Sequence, residues 1–140
     1  TPNPDMTLTV PAATENVITF GGYDNVTNAF YPKSGRGFTR ENRIKPDMTA
    51  PAVNVYGPGI SGGYTRRTGT SVACALGAGA CAQILQWGIV EDNEPYMKNN
   101  YIKNYLIRGA ERNRDIRYPS EQWGYGTINV FDSFLILTRT

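Results

Sequence analysis

Ser71 lies in the run Thr68-Gly69-Thr70-Ser71-Val72-Ala73, which leads straight into an Ala/Gly-rich apolar segment. This spacing predicts a glycine turn that delivers a hydroxyl to the first turn of a helix. There the unpaired N–H groups and the positive end of the helix dipole favour negative charge. A hydroxyl so placed can attack a carbonyl, and the Ser71 N–H can hold the resulting oxyanion. Thr70 or Ser71 would also serve as a simple N-cap, so the motif alone leaves both readings open. A serine needs an adjacent base, and the chain has no histidine. Lys45 is a poor substitute: it follows Arg43 and precedes a turn, so it is expected to be solvated and protonated. The aspartates are scattered, with no i, i+4 pair to make an acid/base couple. Gly57-Pro58-Gly59 and Ser61-Gly62-Gly63 lack the closing Gly-Lys-Ser/Thr of a phosphate loop.

The elements that must position this hydroxyl are legible in outline. Residues 1–15 read as irregular. Asn16–Tyr23 reads as a buried strand, Asp24–Asn28 as a turn and Ala29–Gly37 as a loop. Met48–Ala50 and Val53–Tyr56 read as short strands, the second ended by Gly57-Pro58-Gly59, with Ser61–Tyr64 as a flexible stretch. Ser71–Gly88 is the strongest helix. It is apolar on every side, which predicts full burial, with close packing at Gly77 and Gly79 and an αL cap at Gly88. Asn93–Gly109 reads as an amphipathic helix with Met97, Tyr101, Ile102, Tyr105, Leu106 and Gly109 inward and Lys103 outward. Gly124-Tyr125-Gly126 reads as a tight turn, and Asn129–Leu137 as a last helix capped by Asn129.

The bulk numbers bound the rest. The 140 residues suit one domain, and a net charge of +2 with no basic run longer than Arg66-Arg67 argues against nucleic-acid binding. No run of 18 apolar residues is apparent, so no membrane span is expected. Cys74 and Cys81 stand about 10.5 Å apart along a helix axis. That is too far for a disulfide, and both are expected as buried free thiols. With no histidine and both cysteines on one helix, no metal site is expected.

Several segments together resemble the subtilisin-like serine proteases (subtilases). Lys45-Pro46-Asp47-Met48-Thr49-Ala50-Pro51 is similar to the family's K-P-D…A-P-G element. Gly69-Thr70-Ser71-Val72-Ala73 with Ala78-Gly79 resembles its G-T-S-M-A-x-P-x-x-A-G nucleophile motif. Asn16–Tyr23 with Asp24 resembles its strand and Asp-containing turn, and Trp123–Val130 its G-x-G-x-x-[ND] element before the terminal helix. The likeness runs from about Pro11 to Phe134. Ser34–Gly37 and Gln86–Ile89 most resemble subtilases of clostridial and related anaerobic bacteria.

The resemblance implies an α/β fold: the C-terminal portion of a mostly parallel sheet flanked by helices, with residues 1–140 forming one partial domain. It implies Ser71 as nucleophile and Thr70 as oxyanion-hole support. Arg67 and Thr68 fall on the leaving-group side of the cleft, where arginines would favour acidic residues after the scissile bond. The family order Asp, His, Ser puts the other two triad members, and the asparagine of the oxyanion hole, upstream of Thr1. The implied partners are a polypeptide substrate and the N-terminal part of the same domain; without that part the chain is expected to be inactive and to self-associate. No cofactor is implied. Cellular location stays open between cytoplasm and secretion. Three departures stand out: Val72 for the family's Met, Ala75 for its Pro and Ala52 for its Gly. They keep alive a second expectation, a degenerate binding or regulatory module acting through a partner subtilase.

Overall fold

The computed structural model describes residues 4–139; residues 1–3, the start of the irregular lead-in, lie outside it. Three strands form the central sheet: β1 (Phe20–Asp24), β2 (Ala29–Phe30) and β3 (Met48–Pro51), in the order β2-β1-β3. β1 and β3 are parallel, with Phe20 opposite Met48 and Tyr23 opposite Pro51. β1 and β2 form an antiparallel hairpin around residues 25–28, with Tyr23 opposite Phe30. On the far side of β3, Thr49 makes a parallel bridge to Thr127, which extends the sheet by one contact. A separate hairpin pairs β4 (Val55–Pro58) with β5 (Tyr64–Arg67).

The helices follow. α1 covers Thr70–Leu85 and runs into a π-helical turn at Gln86–Val90; α2 covers Asn99–Gly109 and α3 Val130–Leu137. α1 packs on β1 and β3, and α2 packs on α3. Met48, Ile84, Ile102, Leu106 and Leu137 form the main core, and Ala50, Ala52 and Ala73 a smaller one beneath the start of α1. The α/β architecture matches expectation, and so do the Asn129 cap and the Gly124–Gly126 turn. The Asn129 side chain accepts the Asp132 N–H at 3.0 Å. Gly124 takes φ +56° and sits against the Pro46 and Asp47 carbonyls, where a β-carbon would clash.

Several expectations are corrected. Strand pairing shortens Asn16–Tyr23 to β1, and Ala29–Phe30 pairs where a loop was expected, because the turn at 25–28 folds it back on Tyr23 and Asp24. β4 continues through Gly57 and Pro58, and Ser61–Gly63 is its hairpin turn into β5, with positive φ at Gly62 and Gly63. α2 begins at Asn99, not Asn93.

The largest correction concerns α1. It is apolar all round but only the stripe Ala73, Gly77, Ala80 and Ile84 is buried; Cys74, Ala75, Leu76, Ala78, Gly79 and Ala82 are exposed. One face meets the sheet, and no described element covers the other. A β-carbon on Gly77 would fall 2.1 Å from the Phe20 ring, so glycine there lets the helix meet β1. That contact offsets a helix penalty of about 1 kcal/mol. Gly79 has no neighbour within 4 Å, and Gly88 is buried under Met97 in the π-helical turn with no left-handed cap geometry. Cys74 is exposed and Cys81 half-buried; both are free thiols. Thr70–Val90, at 21 residues, is after all long and apolar enough to cross a membrane by length and composition, with one stripe buried against the sheet.

Candidate active site

Ser71 is exposed on the first turn of α1, and no described group hydrogen-bonds its hydroxyl. The reason lies in the turn before it. Gly69 is the N-cap residue, with φ +154°, a backbone region that disfavours a β-carbon, and no side chain caps the helix. The alternative of Thr70 or Ser71 as N-cap is therefore not what the chain adopts. The first-turn N–H groups of Thr70 and Ser71 precede any i→i−4 acceptor within the helix. Val72 N–H donates to Gly69 O at 3.0 Å and closes the turn.

Two hydrogen bonds fix where this turn sits. Ala52 N–H donates to Tyr23 O, and Gly69 N–H donates to Ala52 O, both at 2.8 Å. The path Tyr23–Ala52–Gly69 ties the helix entrance to the C-terminal ends of the parallel strands β1 and β3, the usual location of sites in α/β sheets. Ala50, Ala52 and Ala73 are all 0 % exposed, and their small side chains let α1 approach the sheet closely. Gly22 completes the arrangement: a β-carbon there would lie 2.6 Å from Ala52 Cβ and 3.5 Å from Thr70 Cγ2. Thr70 also borders a cavity of about 440 Å³ lined by Thr7, Leu8, Phe20, Ser34 and Gly35 among others.

Arg67 and Thr68 occupy the end of β5 and the residue after it. Both are exposed. The Thr68 hydroxyl accepts Asn54 N–H at 2.9 Å, so it closes the base of the hairpin. Arg66 and Arg67 point to opposite faces of their strand. The Arg66 guanidinium lies 6.0 Å from the Tyr56 ring, which is itself stacked on Tyr64 at 5.2 Å.

Lys45 is not solvated. Its side chain is 2 % exposed and its ammonium donates to Asp47 Oδ2 at 2.7 Å and Val17 O at 2.6 Å. Burial depresses its pKa; Asp47 opposes that shift and Lys103 adds to it. All its hydrogen bonds go to Val17, Thr19 and Asp47, so it offers Ser71 no base.

Asp47 is a fully buried hub. Oδ2 also accepts Thr19 N–H at 2.7 Å. Oδ1 takes no hydrogen bond of good geometry but has Lys103 Nζ at 2.5 Å. Lys103 therefore points inward, contrary to its polar type, and its ammonium adds to Lys45 in offsetting the desolvation of the buried carboxylate. The hub joins β1, β3 and α2. Only its K-P-D spacing hinted at it in the sequence. Among the described residues no three His, Cys, Asp or Glu side chains come together to hold a metal ion.

Ser71 is thus an exposed serine at a helix entrance, above the C-terminal ends of a parallel strand pair. The chain belongs to the subtilase family (peptidase S8), whose model matches residues 1–126. It is similar to the Clostridium perfringens CspB protease, with a TM-score of 0.95 and 36 % identity over 100 % of this chain and 31 % of that one. It is 30 % identical over 138 residues to the mouse membrane-bound transcription factor site-1 protease, covering 94 % of this chain and 12 % of that protein. The serine protease AprX of Bacillus subtilis is 28 % identical, over 91 % of this chain and 32 % of its own length. The chain thus spans a third or less of each of these relatives.

Proposed function

We propose that this chain is the nucleophile-bearing part of a serine endopeptidase catalytic domain. The observation that carries the reading is the Ser71 hydroxyl: exposed, without a described partner, and held at the mouth of α1 by the Tyr23–Ala52–Gly69 hydrogen-bond path. In this reading Ser71 Oγ attacks the scissile carbonyl and its proton passes to a histidine supplied by another segment of the catalytic domain, oriented there by an aspartate. The Ser71 N–H and an asparagine from that segment hold the oxyanion, with Thr70 supporting the turn. The protonated histidine then gives its proton to the leaving amine, and water releases the acyl group.

The bare face of α1 supports the same reading. Cys74, Ala75, Leu76, Ala78, Gly79 and Ala82 form an apolar surface beside the nucleophile, and the segment carrying the aspartate and histidine would cover it. Alone, the chain would be inactive, because two triad members are missing, and prone to self-association. Arg67 would favour an acidic residue on the leaving-group side; Arg66, turned toward Tyr56, would not contribute.

The test is labelling of the natural full-length protein with a fluorophosphonate. Stoichiometric modification of Ser71, abolished by Ser71→Ala, is the expected result. A folded natural protein that never labels would instead establish the second reading, a protease-derived module acting by association, to which Val72 and Ala75 in the nucleophile motif point.

A further inference from the structure

A second cavity, of about 210 Å³, is bordered by Tyr23, Tyr118, Trp123, Glu111, Asn28 and Asn113. Three aromatic rings, one carboxylate and two amides converge on it, and no lysine or arginine lines it. Glu111 belongs to the run Glu111-Arg112-Asn113-Arg114-Asp115-Ile116-Arg117, yet no ion pair joins it to any described cation. The nearest arginine in sequence is committed elsewhere: the Arg112 guanidinium donates to Ile107 O at 2.6 Å.

The walls are pre-formed. Glu111 and Thr127 exchange two backbone hydrogen bonds, each 2.9 Å, so the carboxylate stands on a fixed ladder. Trp123 packs against both Tyr23 and Phe30, at 5.9 Å from each ring, and is 9 % exposed. The Tyr118 hydroxyl accepts Asn113 N–H at 3.2 Å, which tethers the loop that carries both. The Tyr23 phenol is held above its usual pKa, mainly by burial and further by the Glu111 charge, so the field of that carboxylate reaches into the aromatic wall.

Size and charge select the ligand. Pockets for drug-sized molecules run about 300–1,000 Å³, so this one suits a group the size of one side chain. Aromatic faces attract cations, and a carboxylate without a counter-ion adds charge-assisted hydrogen bonding while repelling anions. We propose that this cavity binds an organic monocation, a guanidinium or alkylammonium group. The group can arrive on a basic side chain of a polypeptide or as a free amine.

The experiment uses the natural full-length protein carrying Ser71→Ala, so that no peptide is consumed. It is titrated calorimetrically with capped Ala-Arg-Ala, with methylguanidinium and with capped Ala-Glu-Ala. Saturable binding of the two cations and none of the glutamate peptide is expected. Glu111→Gln, which leaves the backbone ladder to Thr127 intact, should weaken cation binding roughly tenfold. Tyr118→Leu, which removes one ring face, should weaken it several-fold. Tighter binding of the arginine peptide than of methylguanidinium assigns the site to polypeptides; equal or weaker binding assigns it to free amines. Absence of saturable cation binding, or affinity unchanged by both substitutions, overturns the proposal.

Discussion

Replacing Gly22 by alanine separates the packing of the turn before Ser71 from the reactivity proposed for that serine. The new β-carbon would lie 2.6 Å from Ala52 Cβ, against an optimum of about 3.5–4.0 Å, so the two must part by about 1 Å. Ala52 is fully buried and its carbonyl anchors Gly69, two residues before Ser71, so the displacement is transmitted to the helix entrance. Overpacking of this kind costs about 1–3 kcal/mol, and alanine for glycine returns about 0.4–1 kcal/mol through the unfolded chain. The net loss of stability is about 0–2.6 kcal/mol, at most several degrees in Tm. The expected effect on reactivity is about 10²-fold, the cost of a 1 Å misplacement of a reacting group, equivalent to about 2.7 kcal/mol. Thermal unfolding and the second-order rate of fluorophosphonate labelling on the natural protein measure the two effects separately. Gly57→Ala is the control, because nothing lies within 4 Å of its β-carbon site, and it should leave the labelling rate unchanged. If Gly22→Ala labels as fast as the parent, the turn is not positioned through Ala52 and the reasoning fails.

Three further outcomes are expected. Asp47→Asn leaves the buried Lys45 ammonium without its carboxylate and should cost about 3–5 kcal/mol in urea unfolding. Tyr23 has a native pKa raised above the unfolded value of about 10, so its contribution is complete below pH 10 and is lost as pH rises through the native value. Tyr23→Phe should therefore gain stability relative to the parent between pH 8 and pH 11 in paired unfolding curves. In the isolated 140-residue chain, iodoacetamide should modify exposed Cys74 before Cys81, whose thiol pKa is raised by burial and, secondarily, by Cys74. Cys74 should become protected in the natural protein if another segment covers α1, and mass spectrometry of the alkylated peptides would read both results.

Lys45 and Lys103 illustrate how charge type misleads. They look like solvated residues, one before a turn and one on the polar face of a helix. Both are drawn to Asp47 because a carboxylate 0 % exposed in the core outweighs their preference for water. No local pattern reports this, since Lys103 of α2 meets Lys45 and Asp47 only in the folded chain. The same holds for β2 and β5. Two- and four-residue strands have too few positions to show a period, and their pairing partners supply the missing information.

What the sequence determined unaided is the local chemistry. It showed a glycine turn delivering Ser71 to a helix, a small-residue helix able to pack tightly, the Asn129 cap, and no histidine within the chain to act as a base. Each rests on residue type and short spacing, which backbone sterics and capping translate directly into structure. Only the tertiary structure decided that α1 buries one stripe and leaves its other apolar face open. It also decided that the helix entrance hangs from the ends of β1 and β3, and that Tyr23, Trp123 and Glu111 border one cavity. Those facts depend on contacts between residues far apart in the chain, where burial and charge desolvation, not local propensity, set the outcome.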